Sequence, residues 1–468
     1  MSGSEKTAWL PDLINTGNRF QRDLALVCDA NGDIESLGAN NDLAEPVLLT
    51  NRAMLPGLVN AHSHAFQRVI RGRTEYRTQN EKDSFWTWRE MMYSAATRLT
   101  PEDIYDASRM AFLEMALSGI TAVGEFHYIH NQPDGTSYDD PNLLAKQVVR
   151  AARDVGLRIA LLRVAYARSG FQSEPNPRQA RFIEVDPDVY LDHVNKLRKD
   201  LADLAGQAWV GVAPHSVRAV PLNHLKEVVR FGNEQGLPIH MHVAEQSAEV
   251  SACIEEYGRS PVALLETEGL LSERFTGVHM IHITPKAARM LSQARAMVCA
   301  CPTTERNLGD GMVPVDTLFR ENVPVSLGTD SQIQIDLLED ARELEYHLRL
   351  QKMERIVLAR PERAGKSDLA STLLECATIN GAQSIGSPSG ALEAGLPADF
   401  FTVDLDDPSI AGASEDDLLS SIVFSLSRSA VRDVVVGGKR IVEDGRHSAQ
   451  VEIVERFCAL QKRLWSLF

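Results

Sequence analysis

Two histidines separated by one residue, His62 and His64, are the first residues of the chain whose types and spacing could carry chemistry. Residues two apart on a β-strand point to the same face, so both imidazoles can converge on one point. A lone pair of this kind is more often an ordinary polar strand end. Here His242 and Asp330 end later strand-like segments. Three imidazoles and one carboxylate suit Zn²⁺ or Fe²⁺ and leave room for a water molecule that the cation acidifies.

Candidates for proton transfer follow the same strand ends. Glu245 lies three residues beyond the third histidine of the set, where a carboxylate can act as general acid or base; the alternative is a solvated loop glutamate. His279 or His282 could form a hydrogen bond to the group under attack. Residues three apart face opposite sides of a strand, so only one of the two can point into the barrel mouth. We expect His215 and His240 to be structural, since four donors already complete a metal site.

Eight apolar, strand-like segments must position these residues, and each is followed by a polar turn and a stretch of helical periodicity. The segments span residues 58–64, 120–126, 158–164, 209–213, 238–243, 277–283, 296–301 and 323–329. The alternation predicts an α/β protein with a parallel sheet, and eight is the number of strands that closes a (β/α)8 TIM-type barrel. Active sites of such barrels lie at the carboxyl ends of the strands, where the candidate residues fall.

The helix before the second segment illustrates how the chain signals its elements. Thr100 can cap this helix, Pro101 suits its first turn, and Glu102 and Asp103 favour its positive end. Gly119 is expected to stop it just before the next strand.

The two ends of the chain differ from the middle in their residue patterns. Residues 29–38 and 434–445 are typical of short strands joined by glycine-containing hairpin turns, and 395–404 adds another strand after a turn. Neither end makes a domain alone. The predicted organisation is a small, β-sandwich-like domain built from residues 1–55 and 391–450, a catalytic barrel over 56–390 and a C-terminal helix over 451–468.

Composition limits the classes of protein and partner. The 468 residues are 44% hydrophobic and 24% charged, and no segment approaches the apolar run of a membrane helix, so we expect a soluble protein with no membrane partner. The start of the chain lacks the features of a secretory signal, and six scattered cysteines are expected to be reduced, which favours the cytoplasm. The net charge of −16 argues against nucleic acid, and an acidic substrate would need local arginines.

Three motifs around the candidate residues resemble the deaminase branch of the amidohydrolase superfamily: PGLVNAHSH at 56–64, HVAE at 242–245 and GTDS at 328–331. The resemblance covers nearly the whole chain. It implies the metal ligands His62, His64, His242 and Asp330, with Asp330 also accepting a proton. It further implies that Glu245 is the proton shuttle and that His279, the first histidine of VHMIH at 278–282, is the sixth-strand catalytic residue.

The number of metal ions follows from a missing residue. The binuclear branches of the superfamily bridge two metals with a modified lysine at the end of the third or fourth strand. Residues 158–166 and 209–217 contain no lysine. We therefore expect one divalent metal per chain, Zn²⁺ in the first place and Fe²⁺ as the alternative.

Further motifs resemble the formimidoylglutamate deiminase family: AFQR at 65–68, FWTWR at 85–89, EFHY at 125–128, APHSVR at 213–218 and CPTTERNLGDG at 301–311. This resemblance implies hydrolysis of N-formimidoyl-L-glutamate to N-formyl-L-glutamate and ammonia by a metal-bound hydroxide, a step of histidine degradation. The substrate has two carboxylates, which an acidic protein must hold with local donors. The available donors are Gln67, Arg89, Tyr128 and Arg218.

Other interpretations stay open at this point. Arg89 could cover a helix start or stack on a neighbouring tryptophan, and Tyr128 could lie at the edge of the core. A deaminase of a purine, pyrimidine or triazine ring would share every catalytic residue, although two arginines favour the acyclic diacid. A catalytically inactive scaffold would not need the intact ligand set. We also expect a homodimer.

Overall fold

The computed structural model describes residues 6–17, 19–39, 45–76, 85–360 and 368–466. Within them the strands are β1 (Thr7–Asn15), β2 (Phe20–Gln21), β3 (Leu24–Cys28), β4 (Ile34–Ala39), β5 (Val47–Pro56), β6 (Leu58–Ser63), β7 (Ile120–His127), β8 (Arg158–Ala165), β9 (Ala208–Pro214), β10 (Ile239–Val243), β11 (Phe275–His279), β12 (Met297–Ala300), β13 (Val325–Leu327), β14 (Phe400–Asp404), β15 (Val431–Val436), β16 (Lys439–Glu443) and β17 (Arg446–His447).

The α-helices within the same residues are α1 (Phe85–Ala96), α2 (Pro101–Ala116), α3 (Leu143–Val155), α4 (Pro187–Asp200), α5 (Leu222–Glu234), α6 (Ser247–Tyr257), α7 (Pro261–Thr267), α8 (Pro285–Gln293), α9 (Pro302–Leu308), α10 (Val315–Arg320), α11 (Leu337–Lys352), α12 (Asp368–Ala377), α13 (Ile379–Ile385), α14 (Glu415–Ser425) and α15 (Gln450–Trp465). A short 3₁₀ helix, Ala65–Ile70, follows β6 directly. No helix of the described residues has both the length and the hydrophobicity needed to cross a membrane.

Strands β6 to β13 form a parallel sheet in sequential order, with helices between the strands. The sheet curls until its first and last strands meet, because Ser63 and Asp330 form a parallel bridge. The Asp330 N–H donates to the carbonyl oxygen of His62, and the His64 N–H donates to that of Asp330, both at 3.0 Å. The predicted (β/α)8 barrel is therefore confirmed, and its closure joins two of the predicted ligand positions to a third.

The sixth barrel strand differs from its prediction. The segment expected over 277–283 is β11, which ends at His279. His279 and Met280 have φ angles of 72° and 55°, and the Met280 N–H turns back to the carbonyl oxygens of Val243 and Val278. These left-handed residues end the strand, so His282 lies in the connection beyond it. The alternation of strand faces is therefore not what separates His279 from His282.

Helix α2 follows its predicted signals. The Thr100 side chain accepts from the Asp103 N–H while the Asp103 side chain accepts from the Thr100 N–H, which forms a capping box, and Pro101 opens the helix. The helix ends at Ala116, and Gly119, with φ 88°, turns the chain into β7.

Within the described residues, the chain ends form one nine-stranded sheet, in which β5 of the amino-terminal part pairs with β14 of the carboxyl-terminal part. The sheet has a core of its own, which includes Trp9, Leu26, Phe400 and Val435. The predicted pairing of the two ends is confirmed by this sheet. The exact division into domains stays a prediction, and its boundaries at residues 1 and 468 lie outside the described residues.

The C-terminal helix α15 forms hydrogen bonds to α2 and to the 3₁₀ helix that follows β6. Glu452 accepts two hydrogen bonds from Arg109 of α2, at 2.9 and 2.6 Å. The Gln461 side chain donates to the carbonyl oxygen of Val69 at 2.9 Å. Because Val69 belongs to the 3₁₀ helix that follows β6, α15 supports the turn that begins at His64.

Candidate metal centre and catalytic pocket

Four side chains converge where β6, β10 and β13 end. His62 Nε2 lies 3.2 Å from His64 Nε2 and 3.1 Å from His242 Nε2. The Asp330 Oδ1 atom lies 3.4 Å from His62 Nε2 and 3.2 Å from His64 Nε2. All four residues are buried. The structure thus brings the four residues predicted as metal ligands within reach of one ion.

Backbone carbonyls set the direction of two of these rings. His64 Nδ1 faces the carbonyl oxygen of Phe126 at 2.9 Å, and His242 Nδ1 faces that of His215 at 3.2 Å. A carbonyl oxygen only accepts, so each Nδ1 carries the hydrogen and each Nε2 presents a lone pair. Such outer contacts orient metal-binding histidines in proteins.

The electrostatics of the cluster fit a cation. Burial lowers the pKa of His62 to about 3 and that of His242 well below its usual 6.5, so both imidazoles are neutral. Lone pairs of His64 and His242 then lie beside His62 Nε2 at 3.1–3.2 Å. Asp330 Oδ1 also lies 3.4 Å from this nitrogen, and a single hydrogen on it could satisfy only one of these three acceptors, so a positive charge between them would relieve the repulsion among the others. The donor set, three imidazoles and a carboxylate, therefore fits a divalent metal ion.

Glu245 and His279 lie beside this centre. His279 Nε2 is 3.7 Å from Glu245 Oε1 and 3.9 Å from Asp330 Oδ2. Burial raises the pKa of Glu245 to about 8, with the neighbouring Asp310 and Asp330 adding to the rise and His279 opposing it. Burial alone would lower the pKa of His279, but the nearby carboxylates outweigh it and raise this pKa well above 6.5. The pair can therefore hold protons near neutral pH, as general acid–base groups must.

The backbone at the barrel mouth is strained. Ala244, His279, Met280 and Asp330 have φ angles between 45° and 72°, in the left-handed region that residues with a side chain seldom occupy. His279 and Asp330 are themselves candidate catalytic residues, Ala244 directly precedes Glu245, and Met280 directly follows His279. Strain of this kind costs on the order of 1–3 kcal/mol per residue and persists where the surroundings enforce it.

The cluster opens into a cavity at the carboxyl ends of the barrel strands. Its lining includes all four residues predicted to bind substrate, namely Gln67, Arg89, Tyr128 and Arg218, together with Glu245 and His279. Aromatic side chains complete the wall, among them Trp88, Tyr93, Tyr166 and Phe182.

The predicted substrate donors are already held in place by neighbours. The Gln67 amide donates to the Tyr128 hydroxyl at 2.8 Å, and no donor of the described residues bonds to its buried Oε1 atom. Arg89 Nε donates to the Tyr93 hydroxyl. Arg218 donates to the carbonyl oxygen of Ser169 at 3.3 Å.

The charge of Arg218 is favoured by its neighbours. Loss of solvent opposes the charge, but the Tyr166 and Tyr93 hydroxyls outweigh this effect and raise the pKa of Arg218. The cavity thus combines a cation site at its base with a permanent positive charge on its wall.

The other histidines lie outside the cluster. His240 Nε2 donates to the carbonyl oxygen of Ser384 at 2.8 Å and is buried below the site. His282 Nε2 donates to that of Asp310 at 3.1 Å. His215, expected to be structural, accepts from His242 through its carbonyl oxygen, but its ring also lines the cavity, 4.6 Å from the Tyr166 ring.

Several residues that contact the pocket lining from behind were not singled out from the sequence. Glu305 contacts His279, and Asp310 accepts from the Gln246 side chain at 2.5 Å. Both lie in the CPTTERNLGDG motif, whose acidic residues after a strand could have marked them. Gln179 donates to the Tyr93 and Tyr166 hydroxyls, both at 2.6 Å. It lies in the 3₁₀ helix Pro177–Gln179 within an irregular loop, and no sequence pattern pointed to it.

Comparisons with known proteins agree with this geometry. The model of the amidohydrolase family matches residues 53–441. The chain is 38% identical to formimidoylglutamate deiminase from Pseudomonas aeruginosa over 420 residues, which cover 90% of each protein. It is 29% identical to a 5-methylthioadenosine/S-adenosylhomocysteine deaminase from Syntrophomonas wolfei, over 84% of this chain and 82% of the relative.

Solved structures share the whole architecture. An amidohydrolase from Brucella melitensis superimposes with a TM-score of 0.90 at 33% identity, over 98% of this chain and 99% of that one. A zinc-bound adenosine deaminase from Xanthomonas campestris has a TM-score of 0.83 at 22% identity, over 98% of both chains, and shares the fold. The family match, the identity to its relatives and the four-donor cluster together identify the chain as a member of the amidohydrolase family.

Proposed function

We propose that this amidohydrolase, a metal-dependent hydrolase of C–N bonds, converts N-formimidoyl-L-glutamate and water to N-formyl-L-glutamate and ammonia, a reaction of histidine degradation. The observation that carries the proposal is the 38% identity to formimidoylglutamate deiminase over 90% of both chains. The cavity adds independent support, because it has arginines on its wall as well as the four-donor cluster at its base.

We propose one metal ion per chain, Zn²⁺ in preference to Fe²⁺, held by His62, His64, His242 and Asp330. A divalent cation at such a site supplies acidified water, which makes a nucleophile available near neutral pH. The absence of a lysine at the ends of β8 and β9 supports one ion instead of two.

The proposed reaction assigns a proton to each acidic group. Asp330 accepts a proton from the water that attacks the formimidoyl carbon. Glu245, whose pKa is raised by burial, donates one proton to the imine nitrogen, and the proton held by Asp330 supplies a second, so that this nitrogen leaves as ammonia. The Glu245 carboxylate then takes the remaining proton of the attacking water as the C=O bond forms. His279, whose pKa lies well above its usual value, carries a hydrogen on Nε2 and through it stabilises the negative charge that develops on the oxygen. The new C=O bond takes its oxygen from water, and the C–N bond to the departing nitrogen breaks.

The wall residues would hold the two carboxylates of the substrate. Arg218 and Arg89 supply charged donors, and the Tyr128 hydroxyl and Gln67 amide supply neutral ones. The buried Oε1 atom of Gln67 has capacity left for a ligand N–H. An uncharged ring in this cavity would leave the Arg218 guanidinium without a counter-ion, which is costly in a partly dry site.

Incubation of the metal-loaded protein with N-formimidoyl-L-glutamate, with ammonia as the readout, tests the proposal. We expect efficient release from this diacid and little from 5′-methylthioadenosine, adenosine, guanine, cytosine or a triazine. Efficient deamination of a ring, with none of the diacid, would reject the substrate assignment and leave the metal hydrolase in place. A cytoplasmic location and a homodimer stay predictions, and light scattering after gel filtration tests the second.

A further inference from the structure

The imidazole of His279 lies between carboxylates on two sides. Its Nε2 atom faces Glu245 and Asp330 at 3.7 and 3.9 Å, on the side of the cavity. Its Nδ1 atom faces Glu305 Oε1 at 3.2 Å on the opposite side. His279 and Glu305 are each 1% exposed. Glu305 is thus in contact with a candidate catalytic residue without lining the cavity itself.

Glu305 is held by the backbone that follows β12. It lies in helix α9, and its Oε1 atom accepts from the Cys301 N–H, at the start of that helix, at 2.9 Å. The carboxylate is therefore fixed to the barrel through a strand end and does not depend on His279 for its position. A group fixed in this way can impose an orientation on its neighbour.

The contact decides which nitrogen of His279 reaches the reacting groups. A carboxylate oxygen accepts and does not donate, so Nδ1 of His279 carries the hydrogen that joins the two residues. The ring also stacks on His242, at 5.5 Å between centroids and 12° between planes. The backbone of His279 is left-handed, with φ 72°, so ordinary strand geometry does not direct this side chain.

A second metal ion is a less suitable explanation for this cluster. The sulfur of Cys301 lies within 4.8 Å of the facing atoms of His279 and Glu305. Glu305 Oε1 already accepts from two N–H donors.

We propose that Glu305 is a positioning residue, which accepts from the Nδ1–H of His279 and holds its ring plane so that Nε2 faces the C–N bond under attack. The proposal rests on the proposed function for the role of His279. Glu305 does not contact the substrate and acts through His279.

Nuclear magnetic resonance of zinc-loaded protein labelled with ¹⁵N-histidine tests the position of the proton without any substrate. The His279→Asn spectrum identifies the Nδ1–H signal of His279. We expect Glu305→Leu to lose this signal, to keep its metal and to lose kcat by about 10–100-fold with little change in KM. Glu305→Gln, which retains an acceptor, should keep the signal and recover part of kcat.

Asp340→Asn is the matched control. Asp340 is also buried and binds the same helix, since its side chain accepts from the Thr303 N–H at 3.0 Å, but it does not contact His279. We expect this variant to keep the His279 signal, kcat and metal content.

Three results with Glu305→Leu would overturn the proposal: an unchanged Nδ1–H signal, a kcat within twofold of the wild type, or a loss of metal in step with kcat. The loss of a second metal equivalent would likewise assign the cluster to a metal. If Glu305→Leu does not fold, Glu305→Gln decides, and a wild-type kcat or a lost metal in that variant overturns the proposal. If the diacid is not turned over at all, the substrate assignment fails while the spectrum still reports on Glu305.

Discussion

The two halves of the cavity are built in different ways. The metal half, defined as His62, His64, His242 and Asp330, comes from strand ends, and its residues are between 0% and 6% exposed. The substrate half, defined as Gln67, Arg89, Tyr128 and Arg218, comes from a 3₁₀ helix, α1 and segments just beyond β7 and β9.

The difference lies in what holds each half. Hydrogen bonds of the barrel backbone fix the strand ends, and the carbonyl oxygens of neighbouring strands orient His64 and His242. The long side chains of the substrate half are instead held by other side chains, as Gln67 is by Tyr128 and Arg89 is by Tyr93. A metal site that the barrel backbone fixes can be shared by enzymes with different substrates. A cavity wall whose side chains are held by other side chains can change with the substrate.

Removal of a metal ligand should have the largest effect. We expect His242→Ala to lose its metal and at least about 10³-fold in kcat/KM, since the cation contributes several kcal/mol to catalysis. Metal content by elemental analysis and ammonia release measure the two effects. His282→Ala is the control, because His282 donates to the carbonyl oxygen of Asp310 away from the cluster. Close to two metal equivalents in the wild type, or full metal in His242→Ala, would contradict the assignment of the metal half.

Loss of the proton shuttle should separate chemistry from metal binding. We expect Glu245→Gln to keep its metal and lose about 10²–10⁴-fold in kcat, the usual contribution of general acid–base catalysis. Single-turnover kinetics and elemental analysis measure both properties. Glu255→Gln, at an exposed position of α6, should leave both unchanged. A near-normal kcat in Glu245→Gln would show that Glu245 is a solvated loop residue and does not transfer a proton in the reaction.

Loss of a wall arginine should affect substrate but not metal. We expect Arg218→Met to lower kcat/KM for the formimidoyl diacid by about 1.5–3 kcal/mol, or roughly 10- to 150-fold, the scale of hydrogen bonds to a charged group. Steady-state kinetics measure the loss, and Arg230→Met, at an exposed position of α5, is the control. A variant that loses metal together with kcat/KM would show that the two halves are not independent.

The pH dependence should report on Glu245. Burial raises the pKa of its carboxyl to about 8, so the group is protonated below that pH and loses its proton as the pH rises. A bound cation lowers this pKa through its charge, so we expect kcat/KM to fall about tenfold per pH unit above a point that lies no higher than about pH 8. The same alkaline limb in Glu245→Gln would assign the titration to another group.

The smallest effect should come from the residue behind the substrate half. Gln179 donates to the Tyr93 and Tyr166 hydroxyls, which neighbour the two arginines. We expect Gln179→Leu to raise KM about fivefold to tenfold, the scale of one or two neutral hydrogen bonds, with metal content unchanged. An unchanged KM would show that the tyrosines hold the arginines without this support.

The contrast between the halves also explains which features of the fold and the site could be predicted from sequence patterns. Alternating apolar segments predicted the barrel, the capping signals predicted α2, and glycine turns predicted the outer strands, because each pattern reflects a local preference of the backbone. His-X-His at a strand end predicted convergence because the strand period is two. The β11 boundary was misplaced because His279 and Met280 are left-handed, which no local pattern reveals.

The sequence by itself determined which residue types stand at the strand ends, and therefore the class of metal site and of chemistry. The tertiary structure decided the rest. Closure of β6 on β13 sets Asp330 beside His62 and His64, across more than 260 residues of chain. Glu305 reaches His279, and Gln179 reaches Tyr93 and Tyr166, only because separate strands and loops pack together. Contacts between distant residues depend on packing of the whole fold, and a local preference of the chain does not encode them.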